Sequence, residues 1–122
     1  KIVLVAGEES GDKLGANLAL SLLGRNQDYQ LSGIGGRHMQ EAGVHLINDL
    51  AKYAVAGLVE VIKQARVIRR AYKEIKAHLK EEKPDLLILI DYPGFNLRLA
   101  RFAKKQLGLK ILYYISPQVW AW

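Results

Sequence analysis

Cysteine is absent from the 122 residues. That excludes a disulfide framework and any metal site built on thiolates, and it is compatible with a reducing compartment. Histidine is scarce: His38, His45 and His78 do not show the spacing of a metal-ligand set, so no metal is expected. No apolar run approaches the roughly 20 residues that a membrane-spanning helix needs. The opening run, Ile2 to Ala6, is too short for the core of a signal peptide and leads into Gly7-Glu8-Glu9. The first residue is Lys1 rather than Met, so the natural start is expected upstream. Internal repeats, linkers and low-complexity segments are also lacking, and 122 residues suit one domain.

Half of the residues are apolar and a quarter are charged, the composition of a globular domain rather than a disordered one. Basic residues outnumber acids by 18 to 12, for a formal charge of +6. Nucleic acid, a membrane surface, a phosphorylated ligand or a merely lysine-rich surface would each account for that excess.

Short apolar runs alternate with helical patterns. Ile2 to Ala6 and Leu86 to Ile90 are nearly continuous apolar runs, the mark of strands buried on both faces. Gln30 to Ile34, Val44 to Ile47 and Lys110 to Ile115 are further strands, the second of them weaker. Leu14, Leu18 and Leu22 at spacing four predict a helix over 14–23. His38 to Ala42 is short and helical, and Phe95 to Leu107 is helical with Gly108 as its stop. The longest periodic segment runs from Leu58 to Glu82 and ends at Pro84. There Val61, Ala65, Ile68, Tyr72, Ile75 and Leu79 form one apolar stripe. Strands of buried type alternating with helices predict an α/β fold, a Rossmann-like parallel sheet with helices on both faces. Ligands of such sheets bind at the carboxyl ends of the strands.

Three loops therefore matter most. Gly7-Glu8-Glu9-Ser10-Gly11-Asp12 follows the first strand and opens a helix, where glycines admit a ligand close to backbone N–H groups. It is neither a dinucleotide fingerprint nor a P-loop, and its acids would repel a bare phosphate. A plain turn with Ser10 or Asp12 as helix N-cap fits it as well. Asp91-Tyr92-Pro93-Gly94-Phe95-Asn96 follows the strongest strand. A carboxylate there is costly unless used or paired, so Asp91 is either a general base, a helix cap or a partner for lysine. Ser116-Pro117-Gln118-Val119-Trp120-Ala121-Trp122 brings two tryptophans suited to stacking on a sugar or a base, or to core packing.

The long helix carries Lys63, Arg66, Arg70, Lys73 and Lys80 beside its apolar stripe, with Arg69 and Lys76 nearby, and is preceded by the apolar Val55, Leu58 and Val59. Such a segment either attaches to an anionic membrane face or is a solvated helix surface. His78, on the same charged helix, is expected to be solvated.

Taken together, Gly7-Glu8-x-Ser10-Gly11-Asp12, Ile90-Asp91-x-Pro93-x-Phe95-Asn96 and Ser116-Pro117-x-Val119-Trp120-Ala121-Trp122 resemble the signatures of the lipid-A-disaccharide synthases. Gly33, Gly36, Arg37, Met39 and Gly43 fit that family's second loop, and Gly57-Leu58-Val59-Glu60-Val61 the start of its long helix. The resemblance covers essentially the whole chain. It implies the N-terminal half of a GT-B fold, with residues 1–122 as the acceptor-side Rossmann-like domain and a UDP-sugar-binding half beyond Trp122. It implies an inverting glycosyltransferase that needs no metal or other cofactor. The donor would be UDP-2,3-diacylglucosamine, the acceptor 2,3-diacylglucosamine 1-phosphate, the linkage β-1,6, and the setting the cytoplasmic face of the inner membrane, without nucleic acid. It makes Asp91 the base, Glu8, Ser10, Gly11, Asp12, Gly36, Asn96, Ser116 and Trp120 the substrate-binding residues, and Val55, Leu58, Val59, Lys63, Arg66, Arg70 and Lys73 the contact with the anionic membrane surface. Two departures bear on this. A second acid often stands where this chain has Gly94, which leaves Asp91 the only acid of its loop. Glu9 stands where Thr is common, which leaves Glu8 the better match. Another GT-B UDP-sugar enzyme, an epimerase or a different transferase, and a non-enzymatic Rossmann-like binding module are the alternatives.

Overall fold

The computed structural model describes residues 1–51 and 61–115. In chain order these form β1 (Ile2–Ala6), α1 (Glu9–Arg25), β2 (Leu31–Ile34), α2 (Arg37–Glu41), β3 (His45–Asn48), α3 (Val61–Glu82), β4 (Leu86–Ile90), α4 (Pro93–Leu107) and β5 (Ile111–Tyr114). The five strands are all parallel, in the order β3-β2-β1-β4-β5. This is the α/β, Rossmann-like arrangement that the alternation of apolar runs and helices predicts.

Why the central strands read as unbroken apolar runs is visible in the packing. Alternate side chains of a strand point to opposite faces, and both faces here are covered. Val3, Val5, Leu87 and Leu89 face a core shared with Ala71, Ile75 and Leu79 of α3 and Phe95, Leu99 and Ala103 of α4. Ile2, Leu4, Ala6, Ile88 and Ile90 face a second core with Ala16 and Ala19 of α1 and Met39 of α2. All five residues of β1 are buried.

Two expectations about the helices change. The first helix begins at Glu9, not Leu14, and neither Ser10 nor Asp12 is its N-cap; that position is Glu8, with no side-chain cap. In α3 the apolar stripe is not buried along its full length: Ile75 and Leu79 are buried, whereas Ala65 is exposed, as is every residue from Ile62 to Arg66. The reason is length. A helix of 22 residues spans roughly 33 Å, and a strand of 5 residues about 17 Å. Since α3 packs its later turns on the sheet and hands over to β4 at the amino edge, its first turns extend beyond the carboxyl edge.

Candidate active site

The strand order puts a switch point between β1 and β4. The chain leaves β1 toward β2 with α1 and α2 on one face, and returns at β4 with α3 and α4 on the other. At such a point the connections on the two sides part and leave a crevice at the carboxyl ends of the strands. Ala6 and Ile90, the last residues of β1 and β4, are register partners, and Ile90 is in turn the partner of Tyr114 at the end of β5. The loops after β1 and β4 therefore emerge side by side. Tyr92 closes the distance between them. A β-carbon on Gly7 would fall 2.5 Å from Cδ2 and Cε2 of its ring, so only glycine lets the ring lie on the backbone there. Burial raises the pKa of the Tyr92 phenol, and the nearby Glu8 carboxylate adds to the rise.

Asp91 stands at the centre of this edge, half-buried. Its backbone is left-handed, φ 44°, and so is that of Tyr92, φ 51°. Two consecutive non-glycine residues in this region cost of order 1–3 kcal/mol each and persist only where their surroundings hold them. The holding groups can be named. The Asp91 carbonyl accepts Nδ2 of Asn96 at 2.9 Å and the Tyr113 hydroxyl at 2.8 Å. The Asp91 N–H donates to the Tyr114 carbonyl at 2.8 Å, and the Asn96 N–H to the Tyr92 carbonyl at 2.9 Å. Pro93 then opens α4, where its missing N–H costs nothing. The Tyr113 phenol is itself raised in pKa, by burial first and by the Asp91 charge second.

Two of the residues expected at the substrate hold loops in this structure. Asn96 is fully buried, and its amide nitrogen also reaches the carbonyls of Ile90 at 3.2 Å and Val5 at 3.4 Å. Three carbonyls around one nitrogen fix the orientation of the amide and leave its Oδ1 buried without a hydrogen-bond partner among the described residues. Asp12 is 3 % exposed. Its Oδ1 accepts the N–H groups of Gly36 at 2.8 Å and Met39 at 3.0 Å, and its Oδ2 that of His38 at 3.0 Å. From the first turn of α1 it thus satisfies the free N–H groups at the start of α2. Gly36 belongs to the same contact: a β-carbon there would lie 2.7 Å from Asp12 Oδ2 and 3.3 Å from Ala51 Cβ. Gly11 is buried against Ala6 and Ile90. Glu8, Glu9 and Ser10 are the exposed side chains of the first loop.

The edge thus gathers Glu8, Ser10 and Asp91 around a backbone held by Asp12, Asn96 and Tyr113. The sequence reading missed Tyr113 altogether. Its position in an apolar strand gave no sign that register would carry its hydroxyl to the carbonyl of Asp91, just past β4. It also misjudged His78. This side chain is half-buried and its Nε2 lies 2.8 Å from Ser32 Oγ on β2. Burial lowers the pKa of the ring, with a smaller opposing effect of Glu82 and Glu81. Ser116, Trp120, Val55, Leu58 and Val59 lie outside the described residues. Lys63, Arg66, Arg70 and Lys73 are all exposed on α3, and Arg70 makes an i,i+4 pair with Glu74 at 3.6 Å. Among the described residues no group of three or more His, Cys, Asp or Glu is placed to hold a metal ion, and no helix is long and apolar enough to cross a membrane.

The family profile described as lipid-A-disaccharide synthetase matches residues 2–122. The chain is 60% identical over 122 residues to lipid-A-disaccharide synthase 1 of Legionella pneumophila (strain Lens), covering 100% of this chain and 32% of that protein. It is 53% identical over 122 residues to the lipid-A-disaccharide synthase of Trichlorobacter lovleyi, again covering 100% of this chain and 32% of the relative. To that of Coxiella burnetii (strain Dugway 5J108-111) it is 51% identical over 121 residues, 99% of this chain and 32% of the relative. The chain spans about a third of the length of these curated relatives.

Proposed function

The chain belongs to the lipid-A-disaccharide synthetase family, and from that premise we propose that the protein carrying it is an inverting glycosyltransferase. It joins UDP-2,3-diacylglucosamine to 2,3-diacylglucosamine 1-phosphate. Asp91, in a loop at the switch point held by two side-chain donors, is the observation that carries this reading. Its carboxylate takes the proton of the acceptor 6-hydroxyl as that oxygen attacks the anomeric carbon of the donor. The new β-1,6 bond forms on the face opposite the departing UDP, whose bond to the same carbon breaks. A base held in place before the reaction gains from orientation as well as from proton transfer.

Glu8 and Ser10 line the acceptor side in this reading. Asp12, Gly11, Gly36 and Asn96 shape the backbone beneath it, and Ser116 and Trp120 belong to the same acceptor side. The UDP pocket belongs to a second Rossmann-like half of the protein; the relatives, about three times the length of this chain, leave room for one. Because both substrates are diacylated, the enzyme works peripherally at the cytoplasmic face of the inner membrane. Val55, Leu58 and Val59, with Lys63, Arg66, Arg70 and Lys73 of α3, meet its anionic surface.

The test is product analysis. The full-length protein, given both diacylated sugars, is expected to release UDP and form a β-1,6 disaccharide, whereas residues 1–122 alone form none. A full-length protein that makes no disaccharide, or a 122-residue chain that does, would overturn this reading.

A further inference from the structure

The cations of α3 and α4 are arranged more specifically than a solvated surface requires. Helical periodicity puts Arg66, Arg69, Lys73, Lys76 and Lys80 on one face of α3. The parallel neighbour α4 carries Arg98, Arg101 and Lys105 on one face and no carboxylate anywhere in its sequence. Between the two helices lies a groove of about 330 Å³, lined by Tyr72, Arg98, Arg101, Phe102, Lys105 and Gln106. Its half-buried rings hold cations against them. Lys76 Nζ lies 5.3 Å from the Tyr72 centroid and 4.9 Å from that of Phe102; Lys80 Nζ is 5.6 Å from Phe102, and the Arg98 guanidinium 5.2 Å from Tyr72. Ring faces attract these cations without neutralising them. None of the ion pairs among the described residues involves Arg98, Arg101 or Lys105.

Like charges crowded this way repel one another, and an anion in the groove relieves that repulsion. The guanidinium fork matches phosphate oxygens. The ends of the helices say what carries the phosphate. At the carboxyl edge, Ile62 begins the cationic face of α3 and is 66% exposed, and Leu97 stands four residues before Arg101 and is 55% exposed. Aliphatic tips continuing into rows of Arg and Lys are the composition of a surface that sits in a lipid interface, with tips among the acyl chains and cations among the headgroups. A lipid offers the exposed Ile62 and Leu97 acyl chains to meet, which a soluble phosphate or a nucleic acid does not.

We infer that the groove between α3 and α4 binds the phosphate of an anionic phospholipid headgroup, in addition to the α3 contact already proposed. This rests on the reading of the protein as a peripheral membrane enzyme, and it fixes which flank of the domain faces the bilayer. Arg98, Arg101 and Lys105 bind the headgroup phosphate, Gln106 donates from the rim, and Tyr72 and Phe102 form the floor.

The experiment is vesicle sedimentation of the full-length protein on phosphatidylglycerol mixed into phosphatidylcholine, against phosphatidylcholine alone. The variant Arg98→Gln/Arg101→Gln/Lys105→Gln is expected to bind the anionic vesicles between about tenfold and a hundredfold more weakly than the parent, with neutral vesicles little affected. The single reversal Arg101→Glu, at an exposed position, gives the same direction should the triple variant fold poorly. If both variants bind like the parent while charge reversal at Lys63, Arg66 and Lys73 removes binding, the groove proposal falls and the α3 contact stands. If the parent does not distinguish the two vesicle types, both fall. Displacement from anionic vesicles by millimolar inorganic phosphate, beyond what chloride does at equal ionic strength, would overturn the lipid assignment in favour of a soluble phosphate.

Discussion

Asn96 donates its side-chain amide to the main-chain carbonyl of Asp91 at 2.9 Å, and the same nitrogen reaches the carbonyls of Ile90 and Val5. One buried amide therefore joins the ends of β1 and β4 and the left-handed turn that carries the proposed base. Tyr113, from β5, supplies the second donor to the same Asp91 carbonyl. The position of Asp91 is decided by residues that need not touch substrate.

Asn96→Ala leaves buried carbonyls without their donor, and each such loss costs roughly 1–3 kcal/mol. A total loss of about 2–4 kcal/mol is expected from the urea unfolding midpoint. Tyr113→Phe keeps the ring and removes one hydrogen bond, worth about 0.5–1.5 kcal/mol. Both should lower kcat more than they raise the acceptor KM. The double variant should lower it by a factor different from the product of the two, because both donors act on one carbonyl. Strict additivity would show that they do not cooperate in holding Asp91.

Asp91→Asn keeps the size of the side chain and removes the proton acceptor. The kcat of the full-length enzyme is expected to fall about 10²–10⁴-fold, with unfolding little changed. Activity within a few-fold of the parent would remove Asp91 from the role of base.

Asp12→Asn replaces two accepting oxygens by one and turns an NH₂ toward a backbone N–H. Hydrogen bonds to a charged acceptor contribute about 1.5–3 kcal/mol, so a loss of that order is expected. Hydrogen exchange should report it first at Gly36, His38 and Met39, the three donors. Unchanged protection there would mean that the cap is dispensable.

Gly11→Val puts a branched side chain where a β-carbon alone would sit 3.3 Å from Ala6 Cβ and 3.4 Å from Ile90 Cγ2. The first turn of α1 must move off the sheet, taking Glu8 and Ser10 with it. Acceptor KM and kcat should suffer while donor affinity holds; unchanged acceptor kinetics would count against an acceptor role for this loop.

His78 makes stability depend on pH. Burial holds its pKa below the ordinary value near 6.5, so the folded chain resists a proton that the unfolded chain accepts. Its contribution is complete above about pH 6.5 and is lost as pH falls from there through the lower folded pKa. His78→Gln should flatten this part of the profile, read as the unfolding midpoint between about pH 5 and 7. An unaltered slope would assign it to another group.

Much of this molecule was legible in one dimension because the forces that fix it are local. An apolar run such as Leu86 to Ile90 declares a strand buried on both faces wherever it sits, and the four-and-three spacing from Ile68 to Leu79 declares a helix face. Strands in that alternation must pair in parallel, so loops 7–12 and 91–96 were bound to gather at one edge. The tasks of the side chains within those loops were settled only in three dimensions. Asp12 looked like a ligand contact or a cap for its own helix, and it caps α2, because the loop after β2 comes to lie against the first turn of α1. Tyr113 reaches Asp91, and His78 meets Ser32, through strand register and helix placement set by residues far away in sequence. Ala65 has the right period for burial yet stands exposed, because α3 is longer than the sheet it covers. Periodicity tells a residue which face of its element it occupies. Only the packed sheet decides what lies opposite that face.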